Sequence, residues 1–78
     1  MTDLKGTLYG IARAIVDNPD EVSIVENENG KEVKFILSVA ESDMGKVIGK
    51  NGKNAKAIRT VMKAVAASEG KRVIVDIR

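Results

Sequence analysis

Val47-Ile48-Gly49-Lys50-Asn51-Gly52-Lys53-Asn54-Ala55-Lys56-Ala57-Ile58-Arg59 is the stretch from which the rest of the chain can be placed. Two glycines stand three positions apart, with only Lys50 and Asn51 between them. The loop therefore carries one cation and one small amide and no bulky side chain. Gly49 reads as the left-handed residue that closes a short helix after Val47-Ile48. Gly52 reads as a point where a second backbone or a sugar-phosphate chain comes close. A second helix then opens with Lys53 and Lys56 in or near its first turn. That is locally unfavourable, because a helix N-terminus carries partial positive charge. Phosphates at the site would remove the conflict, since free N–H groups and lysines would both face them. A local rule broken in this way often marks a function.

Other phosphate loops do not fit. A Walker A motif needs G-x-x-x-x-G-K-[ST]. Gly45 and Gly49 are one residue too close for it, and Lys50 is followed by Asn51. A dinucleotide fingerprint needs G-x-G-x-x-G, and the chain has no G-x-G. The same residues also describe a plain helix-turn-helix with a solvated lysine face.

Composition narrows the classes. Seventy-eight residues suit one domain, residues 1–78, burying a little over ~60% of its unfolded surface. There is no cysteine, hence no disulfide frame and no thiolate metal site. There is no histidine, the commonest general base and metal ligand. With no evident carboxylate pair either, an enzyme is a poor reading, and no metal or cofactor is expected. No signal peptide stands at the start, and no apolar run nears the ~20 residues of a membrane span. A cytoplasmic location is expected.

The net charge of +2 is unevenly spread. Between Asp43 and Glu69 lie Lys46, Lys50, Lys53, Lys56, Arg59 and Lys63 with no acid among them. That third of the chain stands at +6, leaving seven cations against eleven acids elsewhere. One basic patch on a small domain is the electrostatic footprint of a nucleic-acid binder. A solvated helix face is the bland alternative, weakened because no acids are interspersed for i,i+4 pairing.

In chain order, Leu4, Leu8, Ile11, Ala12, Ile15 and Val16 recur at helical spacing. Thr2 or Asp3 can cap that helix, and Asn18-Pro19 stops it. Tyr9 suits a helix flank better than a base-stacking platform. Val22–Glu26 reads as a strand, and 27–31 as a hairpin turn centred on Asn29-Gly30. Glu32–Val39 is the clearest strand, with Val33, Phe35, Leu37 and Val39 on the inward face. Ser42 or Asp43 caps a short helix through Ile48. A longer helix runs from about Asn54 to Ser68, and Gly70 ends it. Val73, Val75 and Ile77 mark the last strand.

The order is helix, strand, strand, helix, helix, strand. The hairpin pairs the first two strands. The two helices that follow are long enough for a right-handed crossover, which lets strands 2 and 3 lie parallel and adjacent. The expectation is an α+β fold: a three-stranded mixed sheet covered on one face by three helices.

The glycine loop with its flanks resembles the K-homology (KH) signature V-I-G-x-x-G-x-x-I-x-x-I, departing only at Ala55. The element order is similar to the type II KH fold, and the likeness covers nearly the whole chain. In that family the G-x-x-G loop clamps about four single-stranded nucleotides. The resemblance implies single-stranded RNA as ligand, with Lys50 and Asn51 on phosphates and ribose. It implies that Gly49 and Gly52 permit close approach, and that Val47, Ile48 and Ile58 help floor a narrow apolar groove. Lys53, Lys56 and Arg59 add positive field. For Val47, Ile48 and Ile58, plain core packing is an equal reading. Single-stranded DNA stays open, since only 2′-hydroxyl contacts separate the two. With two aromatics and no stacking stripe, sequence discrimination should be weak.

At about 100° per residue, Ile58, Val61, Met62 and Val65 form one apolar stripe of the long helix, the expected core face. Ala57, Ala64 and Ser68 fall on a flank beside Val61, where a second helix could approach. Alanines placed for helix propensity alone are the alternative. The family resemblance implies a homodimer through this flank, or a heterodimer with a larger KH-containing protein. It also implies a role as RNA regulator or RNA chaperone, linked to cell shape. A protein-assembly module with incidental nucleic-acid binding is the competing reading.

Overall fold

A computed structural model describes residues 3–78. Helix α1 spans Leu4–Ile15 and is capped by Asp3, whose side chain accepts from Gly6 N. The alternative cap, Thr2, lies outside the described residues. Leu8 and Ala12 are wholly buried on one face of α1. Strands β1 (Ser23–Asn29) and β2 (Glu32–Ser38) pair antiparallel, with Asn29 opposite Glu32. The hairpin connection is therefore Gly30-Lys31, shifted one residue from the expected centre. Gly30 supplies the positive φ of 63°, as expected of the first central residue in a two-residue hairpin. The shift also lengthens β1 beyond Glu26. Its last residues are polar and exposed, so hydrophobic pattern could not reveal them; pairing with β2 holds them.

Val33, Phe35 and Leu37 point inward from β2 and are almost fully buried, as their alternation requires. Strand β3 (Arg72–Ile77) lies parallel to β2, with Phe35 beside Val75, and the sheet order is β1-β2-β3. Between them, a 3-10 turn (Glu41–Asp43) leads into helix α2 (Met44–Ile48). Another 3-10 turn, Lys50–Gly52, leads into helix α3 (Lys53–Ser68). One apolar core joins α1 and α3 to the inner sheet face through Leu8, Phe35, Leu37, Met62 and Val75. The end of α3 is a Schellman motif. Gly70 (φ 69°) donates to Ala67 O at 3.0 Å, and Lys71 N donates to Ala66 O at 2.9 Å. This is the α+β arrangement of a type II KH domain, in the expected element order.

Two expectations are corrected. Val61 is not on the core face of α3 but 45% exposed, while Ala66 and Ala55 are buried. The buried stripe is Ala55-Ile58-Met62-Ala66, centred on Ile58 and Met62 and rotated away from Val61. Asp43 precedes α2 but does not cap it. Its carboxylate turns to the α1–β1 link instead, accepting from Asp17 N (3.1 Å), Asn18 N (3.0 Å) and Asn18 Nδ2 (3.0 Å). Asp43 is 1% exposed, the one buried charge among the described residues. Burial alone would raise its pKa, but the three donors and the nearby Lys46 hold it below the ordinary carboxylate value.

Candidate nucleic-acid interface

The glycine loop hangs between α2 and α3. Gly49 N closes α2 by donating to Gly45 O at 2.8 Å. Gly49 is not left-handed helical, as the sequence suggested, but takes φ 76°, ψ 171°. That region is open essentially to glycine alone. The reason is contact: a Cβ on Gly49 would sit 2.8 Å from Asn54 N. Asn54 also reaches back with its side chain, donating from Nδ2 to Lys46 O at 2.7 Å. The far side of the loop is thus latched onto the last turn of α2. This contact spans eight residues and has no signature in the sequence.

The tip is left-handed twice over, at Asn51 (φ 58°, ψ 28°) and Gly52 (φ 74°, ψ 14°). Asparagine is among the few side chains that tolerate this region. A Cβ on Gly52 would meet nothing within 4 Å, so the space above it is open. Gly52 is also the N-cap of α3, and no side chain bonds to that helix start. No acid occupies its first turn. The preceding turn takes up the first donors, Gly52 N to Gly49 O at 3.2 Å and Lys53 N to Lys50 O, so what this end of α3 offers an anion is the positive field of a sixteen-residue helix with no acid in its first turn.

Lys50 and Asn51 in the turn, Lys53 and Lys56 in and near the first turn of α3, and Arg59 and Lys63 further along the helix are all exposed. None of the five cations has an acidic partner among the described residues. The sixth expected cation, Lys46, is different. Its ammonium bonds the Asp17 carboxylate, which raises its pKa above the ordinary lysine value. Lys46 is therefore spent on tying α2 to the α1–β1 link. Arg59 is also tied, but to a neutral acceptor: Nε donates to Val75 O at 3.1 Å. This bond spans from α3 to β3, an edge strand with β2 as its one neighbour.

The apolar residues divide. Val47 is wholly buried and Ile58 is 3% exposed, so both support the loop from beneath. Ile48, at 39%, is the apolar side chain that reaches the surface beside the loop. Ala55 is buried under the first turn of α3. The proposed flank residues Ala57, Val61, Ala64 and Ser68 are all exposed along α3.

A family model described as "KhpA/KhpB, KH domain" matches residues 5–77. Among relatives, the RNA-binding protein KhpA of Clostridium acetobutylicum is 53% identical, over 95% of this chain and 99% of that protein. The RNA-binding protein KhpA of Caldanaerobacter subterraneus subsp. tengcongensis is 55% identical, over 86% and 89%. That of Bacillus subtilis is 40% identical, over 99% and 98%. With a family model spanning nearly all of it and relatives at these identities along its length, the chain belongs to the KhpA/KhpB KH-domain family.

Proposed function

We propose that this chain binds single-stranded RNA without catalysis, clamping the backbone between the Lys50–Gly52 turn and the positive first turn of α3. The observation that carries this reading is the loop itself: two left-handed residues present an open surface at a helix N-terminus, with exposed Lys50, Lys53 and Lys56 in the turn and the first turn of the helix. The relatives' own name, RNA-binding protein KhpA, agrees with it. Such a chain acts in the cytoplasm as a post-transcriptional regulator or RNA chaperone. Single-stranded DNA would satisfy the same loop and differs in its 2′ position.

Salt dependence tests the clamp. About four nucleotides place roughly three phosphates on the loop and helix. The expected slope of log affinity against log salt is about −2, from ~0.7 per phosphate on a single strand. Titrations of a single-stranded and a duplex oligomer at several salt concentrations measure it. A slope near zero, or preference for the duplex, would count against the clamp.

We further propose a homodimer through the outer flank of α3, or a heterodimer with a larger KH protein of the KhpB kind (also called Jag or EloR) linked to cell elongation. A shallow, mostly apolar hollow lined by Ile11, Ile15, Asn54, Ala57, Ile58 and Val61 supports this reading. Small Ala57, Ala64 and Ser68 beside it allow close helix approach, and an isologous two-fold contact would bury Val61. Ala64→Glu places a carboxylate against its own copy and should give folded monomers in sedimentation at several concentrations. A parent that is monomeric at high micromolar concentration removes this interface.

A further inference from the structure

The geometry points to Arg59 as a base-reading residue that selects guanine at one position of the bound strand. This inference rests on the single-stranded RNA reading above. An arginine offers five N–H donors in a rigid planar fork. Arg59 spends Nε on Val75 O at 3.1 Å. Its Nη groups hold no hydrogen bond or ion pair with another described residue. The bond to the strand fixes the plane of the guanidinium, so the remaining donors form a pre-set pair rather than a mobile charge. That sets Arg59 apart from Lys50, Lys53 and Lys56, which have no such tether.

The fork borders a hollow of about 240 Å³ lined by Arg59, Lys63, Val73, Ile74 and Val75. The hollow follows the open edge of β3, and Lys56, Arg59 and Lys63 fall on one face of α3, i to i+3 to i+7. That face leads from the glycine loop to the hollow. A strand clamped at the loop and drawn along these cations brings a base to the fork. Apolar Val73 and Val75 lie under it, while Lys63 can meet the accompanying phosphate.

Two parallel donors need two adjacent acceptors. Guanine offers O6 and N7 side by side, and arginine pairs with them bidentately. Adenine sets the N6 donor beside N7, so one donor of the fork would face another donor. In a single strand these edges are unpaired and accessible. Discrimination is confined to this position, because Phe35 is buried and Tyr9 already faces Arg13 at 5.2 Å.

The test is fluorescence anisotropy with oligouridine hexamers carrying one guanosine, adenosine or 7-deazaguanosine. The guanosine hexamer should bind on the order of tenfold tighter than the adenosine one, within the discrimination usual for a bidentate pair. Replacing N7 by carbon in 7-deazaguanosine should remove most of that advantage with the protein unchanged. Arg59→Lys keeps the charge and should erase the difference while leaving the salt slope as in the parent. Equal binding of the guanosine and adenosine hexamers by the parent, or an undiminished guanosine advantage in Arg59→Lys or with 7-deazaguanosine, overturns the assignment. Absence of binding to every hexamer would instead sink the RNA reading itself, which is a distinct result.

Discussion

Lys50→Asp combined with Asn51→Asp should lower RNA affinity by at least about a hundredfold and leave the fold unchanged. Both side chains are exposed at the tip of the turn, and neither holds a hydrogen bond or ion pair with another described residue. Asn51 sits at φ 58°, ψ 28°, a region that aspartate also tolerates. The stability cost should accordingly be small, ~0.5 kcal/mol, as for surface substitutions generally. Binding is another matter. The double substitution removes one cation and puts two anions beside the first turn of α3, where a phosphate would have to sit. Both the lost attraction and the new repulsion act at short range, where screening by salt is least effective. Anisotropy with a single-stranded oligomer measures the affinity, and circular dichroism with thermal melting measures the fold. If the variant binds as the parent does, the loop is only a structural turn. If it unfolds, the exposed-tip premise is wrong.

The second large effect is on stability. Asp43→Ala should lower the melting temperature by on the order of 10 °C or more, which is large for a chain of this size. Removing the carboxylate strands the N–H groups of Asp17 and Asn18 and leaves the Asn18 amide only its long bond to Ser42 Oγ. A part-buried donor without a partner loses far more than the net worth of an ordinary hydrogen bond. Ser42→Ala is the internal control. Its hydroxyl accepts one exposed bond from Asn18 Nδ2 at 3.4 Å, and its loss should shift melting little. The pH dependence carries a definite sign. The folded pKa of Asp43 lies below the ordinary 3.8, so the unfolded chain takes up the proton first as pH falls. Its stabilisation is therefore complete above that ordinary value and is lost as pH drops from it through the folded pKa. Asp43→Ala should lack this part of the acid transition. A variant that melts within two or three degrees of the parent would show that the α1–β1 link does not depend on Asp43 (about half a kcal/mol or less on the usual scale).

The sequence by itself determined the order of elements, the face of each strand that is buried, and the place of the loop. These are local matters. Val33, Phe35 and Leu37 alternate with the two-residue period of a strand, Gly30 and Gly70 mark turns that need positive φ, and Gly49 and Gly52 frame a cationic tip. Each signal is carried by residues a few positions apart, so a pattern in one dimension contains it. The tertiary structure alone decided what each charge is used for. Lys46 looked like part of the basic patch until Asp17, 29 residues away, took its ammonium. Asp43 looked like a helix cap until the α1–β1 link, 25 and 26 residues away, supplied its three donors. Arg59 looked like general positive field until Val75 O fixed its plane. Val61 had the spacing of a core residue, but α3 meets the sheet through Ala55, Ile58, Met62 and Ala66, and a helix can turn only one stripe inward. Hydrogen bonds and ion pairs act over a few ångströms of space whatever the distance along the chain. Which polar groups become neighbours is therefore set by how the helices dock, a choice made by the whole apolar core and written in no single stretch of residues.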